Sequence, residues 1–359
     1  MTGEDREAAV QARIEAFRRR PPKLRDTHIT TAHGAGGKAS AALFDSVFLQ
    51  AFTNPVLDLM ADSAVVPVAA GRLAVTTDSY VVTPRRFPGG SIGDLAVNGT
   101  VNDLAMVGAL PQWLTAAFVL EEGLPVDELR GYVTDMAAAA SAAGVTIVAG
   151  DTKVVPRGAA DGLYITTAGV GLIPDGRRLS PSSLQPGDRV VVSGPIGDHG
   201  IAVLLARGDL ALEADVRSDT AALNGLVEAL LSAAPATRWL RDPTRGGVAS
   251  ALNELAVAAA VGVALDEASI PVRQEVTAAC ELLGIDPLYV ANEGRLVAVV
   301  PDAELDAALT AMRLHPLGTA SAAIGEIVVE PPGMVTLVTG FGGARIVDLL
   351  VGDPLPRIC

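Results

Sequence analysis

The sequence predicts an α/β (α+β) protein built from two domains with mixed sheets. Segments with the alternation of β-strands and segments with the apolar spacing of helices follow one another twice along the 359 residues. Half of the residues are hydrophobic but only 4% are aromatic, and 37 glycines and 23 prolines supply turns between the elements. A chain of this length divides more readily into two cores than it forms one very large core.

The first half combines strands rich in Val, Thr and Ile with helices of regular apolar spacing. Its predicted elements are, in chain order, strand 72–82, helix 91–109, helix 126–144, strand 146–155 and strand 163–174. Several of these strands are close in sequence, so antiparallel or mixed pairing is expected. A cluster of Pro and Gly then indicates a domain boundary near residue 176.

The second half repeats the alternation. Its predicted elements are strand 188–197, helices 221–234, 246–260 and 272–285, and strands 296–301, 322–329 and 334–340. The paired prolines and cations of residues 1–27 predict an exposed arm outside the fold. The predicted domains are therefore 28–175 and 176–347, followed by a mobile tail at 348–359.

The charge of the chain bounds its partners and its location. The net charge of −14 disfavours nucleic acid as a partner, because the phosphates would be repelled. The sequence has no run of about 20 apolar residues, and its first residues are charged where a signal peptide would be apolar. We therefore expect no membrane association and a cytoplasmic protein.

The two cysteines have different settings. They are too few for a disulfide framework or a zinc site. Cys280 lies in a segment with helical spacing and is expected to be a buried small apolar residue. Cys359 is the last residue of the sequence, in "GDPLPRIC", where packing gives no reason for a cysteine.

Four aspartates recur at the ends of predicted strands or at helix turns. They are Asp62, Asp78, Asp103 and Asp151. Each one alone is more readily explained as a turn or cap residue. Four carboxylates in one half of the chain nevertheless favour a magnesium site, because Mg²⁺ takes oxygen ligands from carboxylates, water and substrate phosphate.

A glycine-rich segment, "HGAGGKAS" at 33–40, precedes a predicted helix and contains Gly36 and Gly37. Backbone N–H groups of such a loop can approach an anion. The segment does not match the phosphate-binding loop GxxxxGK[ST]. A flexible loop without a ligand is an equally good interpretation.

Two motifs of the second half could carry catalysis. In "DPTRGGVAS", Arg245 and two glycines precede an apolar helix, so a guanidinium and the positive end of the helix could meet one anion. A capped helix start explains the same residues equally well. In "NEG", Glu293 precedes an apolar strand, where a partly buried carboxylate could act as a base, although a glutamate in that position is more often a turn residue.

Taken in order, several motifs resemble the HypE family, the carbamoyl dehydratases of [NiFe]-hydrogenase maturation. The resemblance covers about residues 28–359 and is carried by "AHGAGG", "TTDSYVVTP", "GGSIGDLAVNGTVNDLAMVGA", "AGDTKVV", "DPTRGGVA", "NEG" and the terminal "PRIC". The aspartate motifs alone would indicate only the wider superfamily of aminoimidazole ribonucleotide synthetase, selenophosphate synthetase and thiamine-monophosphate kinase. The terminal "PRIC" narrows the resemblance to the HypE family.

This resemblance implies a two-domain fold like that of aminoimidazole ribonucleotide synthetase. It also implies a homodimer that pairs the sheets of the first domains, with ATP in a cleft near that interface. The implied metal and phosphate residues are Asp62, Asp78, Asp103 and Asp151, and the implied nucleotide-binding residues are Gly36, Gly37, Asn98, Gly99 and Thr100. The implied catalytic residues are Lys153, Arg245, Glu293 and the modified Cys359.

The same resemblance implies a reaction and its partners. HypF would place a carboxamide on Cys359, and this chain would dehydrate it with ATP to a thiocyanate. The cyano group would then pass to iron on the HypC–HypD complex. Two alternatives remain open from the sequence. One is an ATP-dependent kinase or synthetase of the same superfamily that acts on a free metabolite, and the other is a non-enzymatic carrier whose tail docks a partner.

Overall fold

The computed structural model describes residues 38–43, 45, 64–68, 71–208 and 214–349. The helices are α1 (Lys38–Leu43), α2 (Ile92–Met106), α3 (Val126–Ala143), α4 (Asp198–Ala206), α5 (Asn224–Ala233), α6 (Gly247–Ala259), α7 (Gln274–Leu283) and α8 (Leu305–Leu314). Short 3₁₀ turns lie at Pro181–Ser183, Glu267–Ser269, Pro287–Tyr289, Asp302–Glu304 and Pro316–Gly318.

The strands of the first half are β1 (Ala64–Val68), β2 (Gly71–Tyr80), β3 (Arg86–Phe87), β4 (Gly90–Ser91), β5 (Leu110–Glu121), β6 (Thr146–Val155) and β7 (Leu163–Ile173). Those of the second half are β8 (Arg189–Val192), β9 (Trp239–Arg241), β10 (Gly262–Asp266), β11 (Val297–Val300), β12 (Ala322–Val328), β13 (Met334–Val338) and β14 (Ala344–Val347). The short strands β3 and β4 pair only with each other among the described residues.

The first sheet has the order β1-β2-β7-β5-β6. Its neighbours are antiparallel except for β5 and β6, which run parallel, so the expected mixed pairing is confirmed. Helices α2 and α3 cover one face, where Leu95 and Met136 pack with Leu114 and Ile165 in one apolar core. Alternate residues of the strands point to the opposite face, where the side chains remain accessible.

Strand β6 forms an edge of this sheet and is exposed along almost its whole length. Its apolar residues Val148 and Val154 are 56% and 68% exposed. Trp113, on the neighbouring strand β5, is 47% exposed. An accessible edge strand with uncovered apolar side chains is typical of a surface that pairs with another chain.

The second sheet has the order β14-β13-β10-β12-β8-β11-β9 and is also mixed, because β10 and β13 run parallel. Helix α6 packs on one face through Val248 and Leu252. Helices α5 and α8 pack on the other face through Leu230 and Met312. Since both faces are covered, the central strands β8 and β11 are almost uninterrupted runs of buried valine.

Helix α2 connects the two halves. It begins with a capping box, in which the Asp94 carboxylate accepts from the Ser91 backbone N–H over 2.8 Å. The helix is buried on nearly all sides, because it packs on β2 and β7 of the first sheet and also contacts α5 and β9 of the second half. Residues on α2 can therefore reach a cleft between the two halves.

The predicted fold class is confirmed, and so is the burial of Cys280, which is 1% exposed. The sequence does not predict β5, whose Pro111 and Gln112 interrupt the strand pattern at a bulge between Pro111 and Trp113. It also does not predict α4, which is almost wholly buried and so lacks an amphipathic period. Among the described residues, no helix is both long and apolar enough to cross a membrane.

Candidate active site

A cavity of about 340 Å³ lies between the two halves of the chain. Its lining includes carboxylates, two arginines and the first turns of α6. The charged and hydroxyl-bearing lining residues include Asp78, Asp103, Arg241, Asp242, Arg245, Ser250, Glu254 and Glu293. Both halves contribute to this set, so the site exists only when they are packed together.

Asp78 and Asp103 face the cavity from the first half. Asp78 lies on β2, which is held along its length by β7, and its carboxylate accepts from the Ser79 backbone N–H over 2.7 Å. Asp103 lies on α2 and accepts a hydrogen bond from the Thr76 hydroxyl over 2.8 Å. Burial raises the pKa of Asp78, although the Ser79 N–H and the charge of Arg245 oppose this shift.

Only one residue of the predicted segment Asn98–Thr100 lines this cavity. Gly99 does so, and a Cβ atom there would lie 2.3 Å from the Tyr80 hydroxyl oxygen, so no larger residue fits. Asn98 instead donates to the Thr220 hydroxyl over 3.1 Å. Thr100 shares a hydrogen bond with the Thr167 hydroxyl inside the first domain.

The turn that contains Arg245 is shaped by two glycines. Gly246 and Gly247 have φ angles of 74° and 61°, a region that favours glycine, and α6 begins at Gly247. A Cβ atom on Gly247 would lie 2.4 Å from the carbonyl oxygen of Leu288. The turn therefore packs directly against the segment that leads to Glu293.

Asn292 joins the segment that contains Arg245 to the segment that contains Glu293. Its side-chain amide and its backbone N–H both donate to the carbonyl oxygen of Pro243, over 3.0 and 3.1 Å. Its side-chain oxygen accepts from the Gly197 N–H over 2.8 Å. The segment 242–245 and the segment 292–294 consequently form one rigid unit.

The backbone of Glu293 is held in place by hydrogen bonds to Asp219 and Asn102. Its N–H donates to the Asp219 carboxylate over 3.1 Å, and its carbonyl oxygen accepts from the Asn102 side chain over 3.2 Å. A Cβ atom on the next residue, Gly294, would lie only 1.7 Å from the Asp219 carbonyl oxygen. The side chain of Glu293 is 2% exposed and lines the cavity.

The cavity concentrates negative charge. Burial raises the pKa of Glu293 well above its usual value, and Asp242, Asp78 and Asp219 raise it further, while Arg245 opposes them. Burial likewise raises the pKa of Asp242 to about 6. A carboxylate with a raised pKa can accept a proton near neutral pH, as a general base must.

The arginines offset part of this charge. Arg241 pairs with Glu254 over 2.7 Å. The charge of Arg245 acts on Asp78, Glu254 and Glu293 at once, since it lowers the pKa of all three. Arg245 is therefore placed to stabilise negative charge that develops in the cavity.

The structure does not bring every predicted residue to this cavity. Asp151 and Lys153 lie on the exposed strand β6 and pair with each other over 2.7 Å. The Lys153 ammonium is also the main cause of the lowered pKa of Asp151. The predicted residues outside the described part of the chain are Gly36, Gly37, Asp62 and Cys359.

A metal ion could be held by Asp78 and Asp103. The described residues contain no cluster of three or more His, Cys, Asp or Glu side chains with the geometry of a metal site. Two carboxylates fit Mg²⁺, which commonly takes one or two protein carboxylates and completes its shell with water and substrate phosphate.

Sequence reasoning missed several residues of the site. Asp219 and Asn102 position Glu293, but they lie 74 and 191 residues away from it in sequence. Nothing in the local sequence pattern of either residue indicates this contact. Asp242 and Ser250 lie within the motif that singled out Arg245, and that motif was the signal that could have found them.

Comparisons with known proteins agree with this arrangement. Residues 60–173 match the family described as AIR synthase related protein, N-terminal domain, and residues 185–337 match the corresponding C-terminal domain. The chain is 55% identical over 338 residues to the carbamoyl dehydratase HypE of Rhodobacter capsulatus, which covers 94% of this chain and 99% of that relative.

Two solved structures are also similar. One is the HypE–HypF complex, at a TM-score of 0.82 and 47% identity over 86% of this chain and 100% of the other. Another is the hydrogenase maturation protein HypE in complex with ATP, at a TM-score of 0.78 and 45% identity over 91% of this chain and 98% of the other. The chain therefore belongs to the HypE family of carbamoyl dehydratases, within the AIR synthase related proteins.

Proposed function

We propose that this chain removes water from the S-carboxamide on its own Cys359 in an ATP-dependent reaction that yields a thiocyanate. The cyano group so formed would supply the ligand of the iron in [NiFe]-hydrogenase. The observation that carries the proposal is one cavity in which Glu293, Arg245, Asp78 and Asp103 meet. The solved relative with bound ATP supports the use of that nucleotide.

The chemistry explains why a nucleotide is needed. The carboxamide oxygen cannot leave as oxide. Transfer of the γ-phosphoryl group forms a bond from phosphorus to this oxygen and breaks the bond to ADP. Loss of the N–H protons and cleavage of the C–O bond then give S–C≡N and inorganic phosphate.

Glu293 and Arg245 have distinct roles in this reaction. Glu293 takes a proton from the carboxamide nitrogen, because burial and nearby carboxylates have raised its pKa well above its usual value and so made its carboxylate a stronger base. Arg245 stabilises the charge on the transferred phosphoryl group. The hydrogen bond between Asn292 and Pro243 holds the segments that carry Glu293 and Arg245 in a fixed relative position.

Asp78 and Asp103 would hold Mg²⁺ together with oxygens of the triphosphate. When bound, the ion supplies charge screening and orientation of the γ-phosphoryl group. The predicted segments at Gly36, Gly37 and Asn98–Thr100 would contribute to the nucleotide site. Of these residues, Gly99 lines the cavity.

The start of the tail is held by hydrogen bonds to the second half of the chain. The Tyr289 hydroxyl donates to the Asp348 carbonyl oxygen over 2.8 Å, and Asn253 on α6 donates to the Val347 carbonyl oxygen over 2.9 Å. Residues 350–359 can span on the order of 30 Å when extended. A segment of this length would carry Cys359 into the cavity of its own chain.

Lys153 would act from a second subunit. Its strand β6 is an exposed edge with uncovered valines, which suits the sheet pairing of a homodimer. In such a dimer Lys153 and Asp151 would approach the nucleotide of the partner rather than that of their own chain.

We also propose that the chain divides into domains at 28–175 and 176–347, followed by a tail at 348–359.

HypF would load the carboxamide, as the solved complex of a relative with HypF supports. The HypC–HypD complex would receive the cyano group, and the sequence of steps would take place in the cytoplasm.

Mass spectrometry of the C-terminal peptide tests the proposal after incubation with HypF, carbamoyl phosphate and ATP. We expect the gain of one carboxamide and then the loss of one water, whereas an unmodified Cys359 would refute the proposal.

A further inference from the structure

Ser250 is a buried serine in the first turns of α6. It is 3% exposed and lines the cavity. Its hydroxyl oxygen is fully buried and has no hydrogen-bond partner among the described residues. A buried hydroxyl without a partner is unfavourable and calls for an explanation.

Other buried serines of the second half are satisfied. The Ser193 hydroxyl accepts from the Leu296 N–H over 3.0 Å. The Ser321 hydroxyl donates to the Gly318 carbonyl oxygen over 2.6 Å. Ser250 differs from both because it lines a cavity and its buried hydroxyl has no hydrogen-bond partner among the described residues.

The surroundings of Ser250 favour an oxygen atom of a substrate. On α6, Gly247, Ser250, Ala251 and Glu254 line the cavity, and their spacing of three, four and seven residues defines one face of the helix. This face lies at the N-terminal end of a helix of 13 residues, where partial positive charge accumulates. Arg245 lines the same cavity just before the helix.

The same face is also coupled to the base. Gly247 packs against the carbonyl oxygen of Leu288, and Asn292 bonds Pro243, so α6 and Glu293 belong to one unit. Asp78 and Asp103, the candidate ligands of the metal and triphosphate, come from the other half of the chain. Ser250 and Glu293 therefore both line the cavity from the second half of the chain.

We propose that the Ser250 hydroxyl donates a hydrogen bond to the carboxamide oxygen, the atom that receives the phosphoryl group and leaves with it. This inference rests on the proposed function. The hydrogen bond orients the oxygen toward phosphorus and places the N–H groups toward Glu293. As the C–O bond breaks, the hydroxyl also stabilises the charge on the departing phosphate oxygen.

The test uses the full chain with a carboxamide on Cys359. Potassium cyanate at mildly acidic pH carbamoylates thiols in preference to lysine amines, and the C-terminal peptide is analysed separately from Cys280, which is buried. Single-turnover loss of water on addition of ATP is followed by mass spectrometry of the C-terminal peptide. Wild type, Ser250→Ala and Ser250→Thr are compared, and Ser321→Ala is the matched control for a hydrogen-bonded buried serine.

We expect Ser250→Ala to slow water loss about 10- to 100-fold without changing the half-saturating ATP concentration, since one hydrogen bond in the transition state is lost. Ser250→Thr keeps a hydroxyl and should retain most of the rate. The melting temperature of Ser250→Ala should equal or exceed that of wild type, because no protein hydrogen bond is lost, whereas Ser321→Ala should melt lower and dehydrate normally.

Three results would overturn the assignment. The first is a rate of water loss in Ser250→Ala that equals that of wild type. The second is a rate of water loss that falls equally in Ser250→Ala and Ser250→Thr. The third is a Ser250→Ala variant in which only the half-saturating ATP concentration changes. If wild type binds ATP but loses no water, the proposed function itself fails and the role of Ser250 fails with it. A normal wild type beside a normal Ser250→Ala refutes the role of Ser250 alone.

Discussion

The side-chain amide of Asn292 donates to the carbonyl oxygen of Pro243 over 3.0 Å. This hydrogen bond joins the turn that contains Arg245 to the turn that contains Glu293. Pro243 lies two residues before Arg245, and Asn292 lies directly before Glu293. This contact thus constrains the relative position of the two side chains to which we assign the phosphoryl-stabilising and basic roles.

We expect Asn292→Ala to lower the rate of dehydration strongly and the free energy of unfolding only moderately. The substitution removes the bonds to Pro243 and Gly197 and leaves the Pro243 carbonyl oxygen with one donor fewer, at a cost of about 2–3 kcal/mol in the free energy of unfolding. Chemical denaturation measures this loss, and single-turnover dehydration measures the activity. Asn224→Ala, which removes one hydrogen bond to Ala143 away from the cavity, is the control and should keep its activity.

Glu293→Gln should abolish proton removal while it preserves the shape of the side chain. A loss of about 10²- to 10⁴-fold in the rate of water loss is expected for a missing general base. In wild type the rate should rise with pH, because the raised pKa of Glu293 keeps it protonated at low pH. Glu281→Gln, on the exposed face of α7, should match wild type, and a pH profile unchanged by Glu293→Gln would exclude this residue as the base.

Asp242 should make stability depend on pH. Its pKa is raised from 3.8 to about 6, so the folded chain retains a proton that the unfolded chain releases. The stabilising contribution is complete below about pH 4 and is lost as the pH rises through about 6. In the nucleotide-free protein, Asp242→Asn should therefore raise the free energy of unfolding at pH 7.5 by on the order of 3 kcal/mol.

Urea denaturation at two pH values tests this assignment. The difference between Asp242→Asn and wild type should be large at pH 7.5 and small near pH 4. An equal difference at both pH values would show that Asp242 titrates normally. Asp175→Asn, on an accessible loop, serves as the control for a generic change of charge.

Subunit mixing tests the position of Lys153. If Lys153 serves the partner's cavity, chains with Lys153→Ala and chains with Glu293→Gln are each inactive alone but regain activity when mixed. Random pairing gives one intact cavity in each mixed dimer, or about a quarter of the wild-type rate. No recovery in a mixture that exchanges subunits would place Lys153 in its own chain's reaction or outside the reaction.

The strongest elements could be predicted because their patterns are local. Helix α3 has a regular apolar stripe, and β7 alternates buried and accessible residues over its length. The sequence does not predict β5, because a bulge breaks its alternation, and it does not predict α8, which is amphipathic but directly follows a 3₁₀ turn.

In the site, too, residues in local sequence motifs could be predicted and residues placed by long-range contacts could not. Asp78, Asp103, Arg245 and Glu293 stand in recognisable motifs, and all four line one cavity. Asp219 could not be predicted, because its role arises only when residues 74 positions apart are folded together. The roles of Asp151 and Lys153 could not be assigned from one chain either, because both lie on the exposed edge strand β6 away from the cavity lining.

The bond from Tyr289 to Asp348 has a thermodynamic consequence for substrate recognition. It fixes the chain at Asp348, so Cys359 would be presented to its own chain on a tether of 11 residues, 349–359. Such tethers give effective concentrations in roughly the millimolar range. The cavity can therefore bind the modified cysteine weakly and still be filled, and this weak affinity lets the finished thiocyanate leave for the next protein.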